Sequence, residues 1–230
     1  MLKIPRRIYL LLGSAACLGA LAYAVLDGLW IPNKPSGAEY PIRGIDVSRH
    51  QGKVDWNAVA ASGIRFVYLK ATEGGDFRDA SFAENLAGAR AVGLQCGAYH
   101  FFSLKTPGLA QARNFIATVP RGACTLPCAI DLEYTGNSAE RPPVGDFQKQ
   151  LTDFVDAIRT NYGREPVFYV DEDLARDYLG GYAMHDRWVR AVVFRPGSDW
   201  MFWQYSELGR VPGIHGFVDL DVFNSDELIR

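Results

Sequence analysis

Asp131 and Glu133 stand two residues apart in the apolar stretch LPCAIDLEYTG, residues 126–136. Side chains two apart along a strand project to the same side, so this spacing brings two carboxyls together. A neighbouring negative charge makes a carboxyl hold its proton to higher pH. One chemistry uses that situation directly: the protonated member gives its proton to a leaving oxygen while other carboxylates supply negative charge. A solvated strand end is the bland alternative. The choice turns on whether further acids converge on the same place.

Several do. Asp46 ends the short run GIDV (44–47), and Asp219 with Asp221 lies in VDLDVFN (218–224). Lys70 and Glu73 close IRFVYLKAT (64–72) and its exit, a pairing that reads as an ion pair lining a cleft. Tyr99 and His100 fall late in CGAYHFF (96–102), Tyr169 in EPVFYV (165–170), and Trp203, Gln204 and Tyr205 in WMFWQYSE (200–207). Aromatic rings also fall at or near strand ends (Tyr99, Phe101, Tyr134, Tyr169, Trp188, Trp203), where they could face a ligand, with core packing as the competing reading. The histidines read better as hydrogen-bonded fixtures than as proton carriers.

The elements that must position these groups alternate regularly. From Arg43 onward, strand patterns at 44–47, 64–72, 96–102, 128–134 and 165–170 are each followed by a helical pattern. These helices cover 55–63, 79–93, 106–119, 144–163 and 171–180, with Asp55, Thr106 and Asp171 as caps and Pro107 at a first helical position. Three further strands, 186–194, 200–207 and 218–224, follow without helices between them. The fold expected is α/β, an irregular TIM-like barrel of five β/α units followed by three β-strands. Sites in such barrels lie at the carboxyl ends of the strands, where the acids above fall.

The N-terminus differs in kind. Lys3, Arg6 and Arg7 precede an uncharged run from Ile8 to Leu26, near the roughly 20 residues that span a bilayer. Residues 1–30 therefore read as a signal peptide, with Ala22-Tyr23-Ala24 as a cleavage site, or as an uncleaved membrane anchor formed by residues 8–26. Lipidation at Cys17 is a weaker option. Residues 31–41, rich in proline, read as a linker, and 42–230 as the working domain, periplasmic or extracellular. The formal net charge of −2 with scattered charges lacks the basic stripe that nucleic acid binding needs. Cys96, Cys124 and Cys128 allow one disulfide or three free thiols, and no spacing marks structural zinc.

Six fragments, RGIDVSRHQGKVDW, FVYLKATEG, GAYHFF, AIDLEY, FWQYS and VDLDVF, occur in the order found in glycoside hydrolase family 25, and residues 43–224 resemble that family. The resemblance implies a lysozyme-type muramidase cutting peptidoglycan at the β-1,4 bond between N-acetylmuramic acid and N-acetylglucosamine, without metal or organic cofactor. It implies Asp46, Asp131, Glu133 and Asp219 as catalytic residues, with Glu133 the general acid and Asp131 assisting. Tyr99 and Trp203 match family motifs and join Tyr169, Lys70, Glu73 and Gln204 as substrate-binding candidates. Two departures stand out: Asp221 occupies a place where the family often has Asn, and RWVRAVVF differs from the usual Trp-x-Ala-x-Tyr at Arg190 and Val192. A non-catalytic peptidoglycan-binding module on the same fold is one rival. A chitinase- or glucosaminidase-like hydrolase is the other, although the longer DxxDxDxE run is missing.

Overall fold

The computed structural model describes the backbone of residues 6–225 and the side chains of residues 14–225. Its strands are β1 (Arg43–Val47), β2 (Ile64–Glu73), β3 (Phe77–Arg78), β4 (Gln95–Phe101), β5 (Ala129–Leu132), β6 (Val167–Val170), β7 (Asp186–Arg190), β8 (Phe202–Gly209) and β9 (Val218–Phe223). The helices are α1 (Arg6–Leu26), α2 (Trp56–Ala61), α3 (Phe82–Ala91), α4 (Gly108–Thr118), α5 (Val144–Tyr162) and α6 (Glu172–Tyr178). Strands β1, β2 and β4 to β8 run parallel in chain order. β9 lies antiparallel to both β8 and β1 and closes an eight-stranded barrel. The five β/α units and three final strands match the sequence reading. The two-residue β3, paired with the end of β2, is too short to leave a periodic signal.

Strand alternation divides the apolar residues into two layers. Phe66, Tyr68, Val167, Tyr169, Trp188, Phe202 and Phe223 fill the barrel interior. Val67, Leu69, Ile130, Leu132 and Phe168 face outward, where they pack on helix residues such as Val59, Leu86, Phe115 and Phe154. Each such side chain stabilises by roughly 1.5–3 kcal/mol relative to exposure. The interior is crowded enough that Gly44 and Gly97 are required: a Cβ at either would come within 2.2 Å of the Phe66 or Tyr68 ring.

The helices start and stop for local reasons. Asp55 accepts from the amides of Asn57 and Ala58, and Asp171 Oδ1 accepts from Leu174 N at 2.6 Å. α4 departs from expectation. Pro107 rather than Thr106 occupies its cap position, and Gln150 Oε1 of α5 takes the Gly108 amide at 2.7 Å. α4 and α5 pack so closely there that a Cβ on Gly108 would meet the Gln150 carbonyl at 1.8 Å.

Residues 31–41 are not a free linker. Asn33 donates to the carbonyls of Ala191 and Phe194, Glu39 pairs with Arg195, and Tyr40 packs against Trp200 and Trp203. This segment packs on the connection between β7 and β8 and on Trp203. Among the described residues no helix is long and apolar enough to cross a membrane. The expected signal or anchor also takes in residues 1–5, which lie outside the described residues. Cys96, Cys124 and Cys128 are free thiols.

Candidate active site

At the carboxyl ends of the strands the barrel opens into a cavity of about 160 Å³. Five acids reach it from four strands, Glu207 of β8 among them. Asp46, next to last in β1, stands opposite Asp219 of β9. Asp131 lies in β5, and Glu133 follows one residue past its end. In β5, Ile130 and Leu132 turn into the outer core, so the alternation places Ala129, Asp131 and Glu133 on the inner side, where all three line the cavity. Tyr99, Tyr169, Trp188 and Gln204 complete its walls, with Glu207 and Asp219.

Hydrogen bonds tie the floor together. Tyr169 Oη donates to Gln204 Oε1 at 3.0 Å, and Gln204 Nε2 donates to Asp46 Oδ2 at 2.9 Å. Asp131 differs: its Oδ1 is buried and no donor of the described residues faces it.

The electrostatics favour protonated acids. Burial, then the neighbouring charges of Asp219 and Asp221, raises the Asp46 pKa well above the usual carboxylate range. Burial and then Glu133 do the same to Asp131, against the opposing pull of Lys70. Glu133 is pushed up to about 7, first by burial and next by Asp171, while Arg190 opposes. Asp219 also rises to about 7, through burial and then Glu207. Desolvation, the capping carboxylate of α6 and Glu207 weigh more heavily on Glu133 than do the neighbouring Asp131, Asp46 and Asp219.

Of the sequence candidates, Asp46, Asp131, Glu133, Asp219, Tyr99, Tyr169 and Gln204 come together at the cavity. Lys70 and Glu73 do not wall it. They form an ion pair at 2.8 Å, with Lys70 Nζ 4.8 Å from the centre of the Phe101 ring, and Lys70 acts on Asp131 and Glu133 through its charge. Trp203 is a correction. It is buried in the outer layer against Tyr40, Trp200 and Tyr205, and its Nε1 donates to Ala191 O at 2.9 Å. Phe202 and Gln204 point inward, so Trp203 between them must point outward. Tyr134 likewise faces away, its hydroxyl donating to Asp177. Trp188, named only among possible aromatics, lines the cavity.

Glu207 was not anticipated. Strict alternation from Gln204 would turn it outward, but the β8–β9 register shifts between Gln204 and Ser206, and this irregularity returns Glu207 to the cavity side. There it forms an ion pair with Arg190, one of the two positions that depart from the family pattern. The two charges act in opposite senses on Glu133 and Asp219.

A family profile described as Glycosyl hydrolases family 25 matches residues 45–214. The chain belongs to glycosyl hydrolases family 25. It is 33% identical over 199 residues to Lysozyme M1 of Streptomyces globisporus, covering 80% of this chain and 68% of that one. It is 37% identical over 200 residues to an uncharacterized protein, YegX, of Escherichia coli O157:H7, covering 83% and 72%. The solved family 25 glycosyl hydrolase from Bacillus anthracis superposes with a TM-score of 0.78 at 32% identity, over 85% of this chain and 94% of that one. This family 25 chain is a glycoside hydrolase of the lysozyme type, on the irregular barrel that its sequence implies.

Proposed function

We propose that this family 25 enzyme is an N-acetylmuramidase that hydrolyses the β-1,4 bond between N-acetylmuramic acid and N-acetylglucosamine in peptidoglycan. The observation that carries the reading is the contrast between Glu133 and Asp131. Glu133 is half-buried at the cavity mouth and keeps its proton to about 7, which suits a general acid working near neutrality. Asp131, deeper, presents a buried oxygen without a donor, and the N–H of a 2-acetamido group supplies one. The cavity is smaller than the roughly 300–1,000 Å³ of pockets that engulf a ligand. It suits one sugar substituent, with the glycan lying across the mouth.

In this reading Glu133 passes its proton to the glycosidic oxygen as the C1–O bond breaks. The acetamido oxygen, oriented by Asp131, bonds to C1 and takes up the positive charge as a cyclic oxazolinium. Glu133, now ionised, removes a proton from water, whose oxygen opens that ring and returns the same anomeric configuration. Asp219, raised only to about 7, supplies negative potential beside the reacting centre, while Asp46, held by Gln204, forms the floor. Export to the periplasm or cell exterior, through the N-terminal segment, brings the enzyme to its wall substrate.

Digestion of purified cell walls, with analysis of the new reducing ends, tests this. Muramic acid ends are expected. N-acetylglucosamine ends would reassign the enzyme as a glucosaminidase, and wall binding without cleavage would reduce it to a binding module.

A further inference from the structure

A second space opens beside the catalytic cavity. A groove of about 980 Å³ runs between the start of α6 and the connection from β7 to β8. Val170, Val189 and Ala191 give it apolar lining, and Val193 and Phe194 stand 67% and 81% exposed along one lip.

Arg190 and Glu207 join the two spaces. Glu207 lines the cavity and Arg190 lines the groove, so the ion pair between them forms the divide. Arg190 uses only its Nε in that pair, and its Nη groups have no hydrogen-bond acceptor among the described residues. Arg187, three residues earlier on β7, lines the same groove, and its guanidinium has no partner among the described residues. On the other bank the carboxylate of Glu172, the first residue of α6, is likewise unpartnered. Two guanidiniums with free donors on one strand suit carboxylates and carbonyls, and the facing acid suits an amine. A ligand of both charges with apolar parts fits this lining better than a neutral sugar chain does.

The proposed substrate carries such a group. Muramic acid bears its acetamido group on C2 and, on the adjacent C3, a lactyl ether that continues into a short peptide with carboxylate and amine groups. With the acetamido group in the cavity beside Asp131, that peptide leaves the sugar at the cavity rim. Arg190 at the rim and Arg187 further down β7 are roughly 10 Å apart along the strand, a span that about three extended peptide residues cover.

We propose that this groove binds the peptide stem of peptidoglycan, with Arg190 and Arg187 pairing its carboxylates and carbonyls and the Val193–Phe194 lip covering its apolar part. Arg190 departs from the family pattern, so this contact sets the specificity of this chain in particular. The inference rests on the muramidase reading, which delivers the stem to the groove. Binding of the free peptide does not depend on cleavage.

The test compares glycan chains solubilised from cell walls with the same chains stripped of stems by an N-acetylmuramoyl-L-alanine amidase. The parent should show a KM about tenfold lower for stem-bearing chains, the worth of one hydrogen bond to a charged group, with similar kcat. Arg187→Glu, which reverses a charge outside the cavity, should bring the two KM values together. Amide NMR shifts of the parent, titrated with the peptide that the amidase releases, should move at residues 187–200. Equal KM values in the parent, a preference that survives Arg187→Glu, or shifts absent from 187–200 would overturn the proposal. Shifts at 187–200 in an enzyme that cleaves neither chain would support the groove and defeat the muramidase reading alone. If Arg187→Glu fails to fold, Val193→Asp on the exposed lip should weaken the same preference, and an unaltered preference there would count against the groove.

Discussion

Gln204 Nε2 donates to Asp46 Oδ2 at 2.9 Å across the top of the barrel. The same amide accepts from the Tyr169 hydroxyl at 3.0 Å, so one buried side chain sets both a carboxylate and an aromatic wall. Gln204→Leu removes the donor and strands the Tyr169 hydroxyl. A buried group left unpaired costs about 1–3 kcal/mol. Steady-state kinetics on solubilised glycan should show kcat/KM reduced by about 10- to 100-fold, with the larger share in kcat, because Asp46 loses its orientation.

The pH profile should report Glu133. As general acid it must be protonated, and its carboxyl is raised to about 7, so kcat/KM should fall as pH climbs through that value. Glu207→Gln removes a negative neighbour and leaves Arg190 unpaired, which should move the alkaline limb to lower pH. Arg190→Gln removes the opposing cation and should move it to higher pH. Parallel shifts of both variants would show that the pair does not act on the acid.

Stability should also follow pH with a definite sign. Asp46, Asp131, Glu133, Asp219 and Asp221 all have raised folded pKa values. Each contributes stability below the unfolded value of about 4, and that contribution is lost as pH rises through the folded value. Tm should therefore decline between about pH 4 and 7, the upper limit being where Glu133 and Asp219 titrate. Asp131→Asn should make the decline shallower. A Tm that rises across this window would mean that the acids are ionised in the fold.

Trp203→Ala should act on the fold rather than on the sugar. Removing a buried Trp costs about 3–5 kcal/mol, seen in denaturant unfolding. The fraction that remains folded should keep the parental KM, since Trp203 packs outside the barrel. A raised KM at unchanged stability would return Trp203 to the binding site.

The sequence carried the barrel because strands and helices alternate with clear periods, and it carried Asp46, Asp131 and Glu133 because they fall late in strand patterns, while Asp219 opens the last strand, which runs antiparallel and so starts at the same end. What it missed has specific causes. Trp203 and Gln204 are adjacent, so both could not face the cavity, and parity alone would have excluded Trp203. Glu207 depends on a register irregularity in β8 that no local pattern announces. Residues 31–41 lack periodicity, and their order comes from distant partners such as Asn33 with Ala191 and Tyr40 with Trp200. Asp221 was legible as an added carboxyl beside Asp219. Its isolation from water emerges only when β9 is packed between β1 and β8.

The most direct measurement is made on Glu133→Gln, which keeps the shape of the side chain and removes the transferable proton. Wall digestion by this variant should fall by about 10²- to 10⁴-fold, the range for loss of a general acid, while sedimentation with intact walls shows binding like the parent's. Digestion at the parental rate would contradict the account and take Glu133 out of the chemistry.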